Sequence, residues 1–180
     1  MKVLVTGFKR FATHESNPTE AMLPLLKDKE VVTRLLDVDY KKAKIELEKA
    51  IQEENPDFLL MLGLSPYTDR PVIEQYAYNE MNSVQPDENG VVESGKAIFE
   101  NGPKSISSSV DVCSLQQYIV SQGEKANISI DPGRFVCNMT YYVGLHSGKP
   151  GIFVHIPTED SYPLQESVDT VKCILSYINY

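Results

Sequence analysis

Cysteine is scarce in this chain of 180 residues, and its count is odd. Cys113, Cys137 and Cys173 form no C-x-x-C spacing, so they point neither to a disulfide framework nor to a zinc site. No other pattern calls for a metal or cofactor, and free thiols of this kind belong in a reducing cytoplasm. Long apolar runs are missing as well. None approaches the roughly 18 residues needed to cross a bilayer, and Met1–Gly7 is too short and strand-like for a signal peptide. Positive charge is in deficit: 17 basic against 25 acidic residues give a net charge of −8. That balance argues against an electrostatic grip on nucleic acid or on an anionic membrane. The one dense basic group, Lys41-Lys42-Ala43-Lys44, reads as a solvated helix face. No P-loop or G-x-G-x-x-G pattern follows the first strand, which disfavours nucleotide binding.

What remains is the composition of a folded globular protein, 42% hydrophobic and 23% charged. The length fits one domain over residues 1–180, large enough to bury a substantial core. Apolar strands alternate with helical patterns, which predicts an α/β layered domain. Strands are expected over Lys2–Thr6, Val31–Val38, Asp57–Gly63, Val72–Tyr78, Ala126–Ile130 and Ile152–Ile156. Asn17-Pro18-Thr19-Glu20 reads as a helix start, with Asn17 as cap and Glu20 at the capping-box position. Further helices are expected over Lys41–Glu54, Ser114–Ser121, Phe135–His146 and Leu164–Tyr177. Gln85–Gly90 is a turn rich in breakers, and Val91–Phe99 a hairpin or an excursion from the sheet.

Among the thiols, Cys173 stands between Val171 and Ile174 on the closing helix and reads as an inert packing residue. Cys113 begins a helix without any accompanying signal. Cys137 differs, because it follows the turn Asp131-Pro132-Gly133 and opens a helix. A thiol in a first helical turn meets the positive end of the macrodipole and unpaired N–H groups, which favour the thiolate. The same N–H groups can hold an oxyanion, so the position suits acyl transfer.

A thiolate nucleophile needs an imidazole. His146 lies nine residues on, about 13 Å along a continuous helix, and is out of reach. His14 lies in a polar loop and reads as a surface residue. His155 closes the apolar run Ile152-Phe153-Val154, and strand carboxyl ends are where open α/β sheets place ligands. A core histidine with both nitrogens satisfied is the competing reading there. Any of many carboxylates could orient the imidazole. Glu74 stands inside the apolar run Val72–Ala77, where pattern alone assigns it to the solvent face of a strand.

Together these segments resemble the pyroglutamyl peptidase I (pyrrolidone carboxyl peptidase) family. Lys2-Val3-Leu4-Val5-Thr6-Gly7-Phe8 with Phe11 and Asn17-Pro18-Thr19-Glu20 is similar to its N-terminal signature. Pro56-Asp57, Gly63, Glu74, Ala77-Tyr78-Asn79 and Pro86-Asp87 with Gly90 resemble its glutamate region. Gly133-Arg134-Phe135-Val136-Cys137-Asn138 and Phe153-Val154-His155-Ile156-Pro157 resemble the segments around its nucleophile and histidine. The matches fall in order along nearly the whole chain. The resemblance implies a Cys137, His155, Glu74 triad on a twisted, mostly parallel central sheet with helices on both faces. It also implies a homo-oligomer that acts on peptides with N-terminal pyroglutamate through a thioester. The lactam ring would sit in an apolar pocket of Phe8, Phe11, Phe135 and Val136.

The chain departs from the family pattern in three places, one of them a short region after Pro157 whose proline-rich stretch is reduced to Tyr162-Pro163. Lys9-Arg10 and Ala12-Thr13 replace an acidic residue with proline and then a glycine pair. Val84-Gln85 replaces an arginine–hydrophobic pair, whose role would pass to Arg134 or Arg70. These changes leave two rival readings: the same triad acting on another small N-acyl or cyclic amide, or a binding protein that retains the fold.

Overall fold

The computed structural model describes residues 1–12 and 14–179. The chain runs β1 (Val3–Phe8), α1 (Pro18–Met22) with a 3-10 turn over Leu23–Leu26, β2 (Val31–Leu36), α2 (Tyr40–Glu54), β3 (Phe58–Leu64) and β4 (Val72–Glu74). Four short strands follow: β5 (Tyr76–Tyr78), β6 (Met81–Asn82), β7 (Ser94–Lys96) and β8 (Ser105–Ser107). The last third holds α3 (Val112–Ser121), β9 (Asn127–Ser129), α4 (Val136–His146), β10 (Gly151–Ile156) and α5 (Leu164–Ile178).

The central sheet has the order β2-β1-β3-β10-β4-β9. Neighbours pair in parallel except β4 against β10, so β4 and β9 run opposite to the other four. Alternation along the strands sorts the core into two layers. Val3, Val5, Leu60, Leu62, Ile152, Val154 and Ile156 pack with residues of α1, α3 and α5. Leu4, Leu59, Met61 and Phe153 pack with α2 and α4 on the other face. Both faces are therefore covered, which is why β3 and β10 read as unbroken apolar runs. The expected α/β class, a mostly parallel sheet with helices on both faces, is what the chain adopts. No described helix is long and apolar enough to cross a membrane.

Side-chain caps set the helix starts. The Asn17 carboxamide accepts from Thr19 N at 3.0 Å, and Asp39 accepts from Lys42 N at 2.8 Å. The capping box does not close, because Glu20 turns instead to Arg10 N at 3.2 Å. The expected strand Val72–Tyr78 breaks into β4, in the central sheet, and β5, which pairs with β8 in a separate ribbon. The side chain of Asn138 occupies the backbone of Tyr78, accepting from its N and donating to its O at 2.9 Å each. Those groups are thus withdrawn from the central ladder. β7 lies in the stretch Val91–Phe99, read as a hairpin or an excursion, and pairs with β6 outside that stretch.

The turn between β6 and β7 is pinned. Buried Asp87 accepts from Tyr40 N at 3.0 Å, Asn89 N at 3.0 Å and Val91 N at 2.8 Å, and Glu88 N donates to Val38 O at 2.8 Å. Residues 87 and 88 are thereby held beside the start of α2.

Candidate active site

The register of β10 brings two of the predicted residues together. His155 follows Phe153 by two positions and points to the same face, the one covered by α2 and α4. The antiparallel pairing of β4 sets Glu74 opposite Phe153 and Val72 opposite His155. Glu74 and His155 are therefore diagonal neighbours on one face. His155 Nδ1 lies 2.7 Å from Glu74 Oε1. Glu74 is 2% exposed and His155 8%. The solvent-face assignment of Glu74 is thus overturned: with helices on both sides, the strand has no solvent face. The second oxygen, Oε2, accepts no hydrogen bond among the described residues, so the pairing of this buried carboxylate is carried by the imidazole. Tyr141 steadies the same residue by donating to Glu74 O at 2.9 Å.

Cys137 comes in from above on the first turn of α4. Asp131 closes the preceding turn, accepting from Gly133 N at 3.0 Å and Arg134 Nη1 at 2.6 Å, while Gly133 takes a left-handed φ of 78°. The N-cap, Phe135, is extended and lends no side-chain acceptor. The first-turn N–H groups of α4 are left without a capping side chain. Cys113 occupies the same position on α3, yet there Asp111 accepts from Cys113 N and Ser114 N at 3.0 Å each. Placement at a helix start does not by itself separate the two thiols; the imidazole does.

Space for the sulfur is made by Gly63, the parallel register partner of His155. A Cβ at residue 63 would lie 2.5 Å from Cys137 Sγ and 2.7 Å from Phe153 Cζ. Gly63→Ala is therefore expected to push the thiol aside, lowering kcat/KM by about 10²-fold for a displacement near 1 Å. The same crowding should destabilise the fold by about 1–3 kcal/mol. Kinetics beside urea unfolding would check both, and an unchanged kcat/KM would show that the sulfur position is not set by this contact.

Burial works against the charged form of His155, but its hydrogen bonds to Cys137 and Glu74, and their negative charge, outweigh it. The imidazole is raised from its ordinary 6.5 to about 9 and holds its proton at neutral pH.

The three residues open into a cavity of about 590 Å³, in the range of small-ligand sites. Phe8, Phe11, Phe135 and Val136 line it too. Phe135 has the Phe11 ring at 6.2 Å and the Tyr40 ring edge-on at 5.6 Å. His14, read from sequence as a surface residue, is half-buried and also lines the cavity. His146 stacks on Phe99 at 4.1 Å, outside the cavity lining, as its distance along α4 requires. Cys173 is half-buried, and burial pushes its thiol up. Lys9 pairs with Asp37, and neither it nor Arg10 lines the cavity. Ala12 adopts a left-handed φ of 57°, a conformation glycine takes more readily; Thr13 lies outside the described residues. Arg134 lines the cavity but is engaged by Asp131, by Glu80 at 3.4 Å and by the Tyr78 ring at 4.0 Å. Arg70 pairs with Asp69 away from the cavity.

Asn138 stands in the motif around Cys137, which gives it no role of its own. It is fully buried and also donates to Glu80 O at 3.1 Å, so it ties the residue after Cys137 to the segment after Glu74. A polar residue among Val136, Met139 and Tyr141 was the available signal.

A covered α/β sheet that holds a buried carboxylate–imidazole pair beside a helix-start cysteine defines a cysteine hydrolase. The family follows from comparison: the pyroglutamyl peptidase model matches residues 1–167, and the chain belongs to that family. It is 33% identical over 168 residues to the pyrrolidone-carboxylate peptidase of Pyrococcus furiosus, covering 87% of this chain and 81% of that protein. Identity to the Thermococcus litoralis pyrrolidone-carboxylate peptidase is 30% over 167 residues, covering 87% and 76%. The solved pyrrolidone carboxyl peptidase from P. furiosus superposes with a TM-score of 0.93 at 28% identity, covering 98% and 97% of the two chains. That from T. litoralis gives 0.90 at 27% identity, covering 99% and 94%. The resemblance read in the sequence holds, and the chain is a cysteine peptidase of the pyroglutamyl type.

Proposed function

We propose that Cys137 is the nucleophile, His155 the proton carrier and Glu74 its orienting carboxylate in hydrolysis of the bond after an N-terminal pyroglutamyl residue. The observation that carries this reading is the buried 2.7 Å contact between His155 Nδ1 and Glu74 Oε1, with Cys137 lining the same cavity as the imidazole. Glu74 holds Nδ1 protonated, which leaves Nε2 to exchange a proton with the sulfur and the substrate. The thiolate adds to the pyroglutamyl carbonyl, and the oxyanion is received by the uncapped N–H groups of the first turn of α4. His155 then gives its Nε2 proton to the departing amine as the C–N bond breaks, leaving a thioester. Water attacks the thioester, its proton passes to His155, and free pyroglutamate leaves with the thiolate restored.

The substrate class follows from the lining. Phe8, Phe11, Phe135 and Val136 offer an apolar slot to a flat lactam that carries no charge to desolvate. An N-terminal proline has the same ring size but carries a protonated amine, which such a slot excludes. Three unpaired thiols support residence in a reducing compartment such as the cytoplasm. The test is release of a coumarin amine from its pyroglutamyl and prolyl amides. The pyroglutamyl amide should be hydrolysed at least about 10²-fold faster. Comparable rates on both would refute the lactam assignment, and turnover of other cyclic or N-acyl amides alone would favour the rival substrate.

A further inference from the structure

The two most exposed large hydrophobic side chains among the described residues are Val84, at 98%, and Tyr67, at 96%; the next, Ile130, is 63% exposed. Both line the cavity that holds Cys137 and His155. Side chains that line a cavity and remain almost wholly accessible stand at its mouth. They come from separate loops, Tyr67 from the one after β3 and Val84 from the one after β6.

Neither loop is loose. Ser65 N donates to Ile156 O at 2.9 Å, and Thr68 Oγ1 donates to Arg70 O at 2.7 Å, on either side of Tyr67. Ser83 N donates to Glu93 O at 3.0 Å, and buried Asp87 fastens the other side of Val84 to the start of α2. A single exposed hydrophobic side chain is ordinary on a protein surface. Two that are almost bare, on pinned loops at the same mouth, have no packing role to account for them.

We propose that Tyr67 and Val84 form the subsite for the residue after the pyroglutamyl ring, and that they select an apolar or aromatic side chain there. The proposal rests on the pyroglutamyl peptidase reading above. With the ring in the slot of Phe8, Phe11, Phe135 and Val136 and its carbonyl at Cys137, the rest of the peptide must leave through the mouth. A phenylalanine or leucine in second place would cover the Val84 methyls and the Tyr67 ring and remove them from water. A glycine would cover neither, and an aspartate would surrender hydration to an apolar surface.

The test compares kcat/KM for pyroglutamyl-phenylalanyl and pyroglutamyl-glycyl peptide amides that are otherwise identical. The native protein should favour phenylalanine by about tenfold or more. In the double variant Tyr67→Ser, Val84→Ser that ratio should fall to about one, while Tyr67→Phe should retain it. A native ratio near one overturns the proposal. So does a double variant in which both rates fall together and the ratio survives, the result of a merely structural role. If the native protein hydrolyses neither peptide, the substrate reading fails and this subsite falls with it. Hydrolysis without selection removes the subsite alone.

Discussion

Cys137→Ala should lower kcat for amine release from a pyroglutamyl amide by at least about 10⁴-fold, the scale seen when a nucleophile acting within a triad is removed. The remaining thiols cannot substitute. Cys113 is exposed on α3, outside the cavity lining, with its N–H already held by Asp111. Cys173 sits on α5, and burial pushes its thiol up, away from the reactive form. The fold should tolerate the change, because the half-buried sulfur lies at a cavity wall over Gly63. Two readouts accompany the rate. Iodoacetamide should modify the native protein at Cys137 below pH 8 and abolish turnover, since only an activated thiolate reacts there. His155 should also titrate lower in the variant, because the bond to Cys137 is among the effects that raise it. Turnover retained by the alanine variant would remove Cys137 from the mechanism.

Glu74→Gln is expected to lower kcat by about 10³- to 10⁴-fold, as loss of the orienting carboxylate does in comparable triads. Glutamine keeps the size of the side chain but loses the charge, and its amide can present an N–H to Nδ1 and favour the wrong tautomer. The pH profile separates this from a structural effect. Burial lowers the His155 value, while Cys137 and Glu74 raise it to about 9. The leaving amine needs the imidazole proton, so native activity should fall as pH rises through about 9. Without the Glu74 charge that alkaline limb should move to lower pH. Stability follows the same sign. The folded value lies above the ordinary 6.5, so the protonated imidazole stabilises the fold fully below about 6.5 and this contribution is lost as pH rises through about 9. Urea midpoints of the native protein should therefore decline across that window more than those of Glu74→Gln. An alkaline limb left in place by the substitution would show that Glu74 does not set the charge state of His155.

Much of this site was visible in the chain itself, and the reasons are local. Cys137 was marked by the turn Asp131-Pro132-Gly133 and by the helix after it, both written in adjacent residues. His155 was marked by its place near the end of an apolar run. Glu74 was not, and pattern alone sent it to solvent, because a short apolar run with one charge looks the same at a half-exposed sheet and inside a covered one. Recognition of the family supplied it instead. Gly63 was noted as part of a motif without a role, since what a glycine leaves room for is a property of its neighbours. Asn138, quoted only within a motif, and His14, read as a surface residue, were left without a role for the same reason.

By itself the amino-acid sequence determined the main strands and helices, the Asn17 cap and the class of layered sheet, because backbone conformation and apolar periodicity act over a few residues. It also placed Cys137, the proposed nucleophile, at a helix start. Only the tertiary structure decided that β4 inserts antiparallel beside β10, which brings residues 81 positions apart to 2.7 Å and buries the carboxylate that the pattern had exposed. It alone brought Tyr67 and Val84 to one cavity mouth. Those outcomes depend on strand order and on which faces the helices cover, and long-range packing sets both.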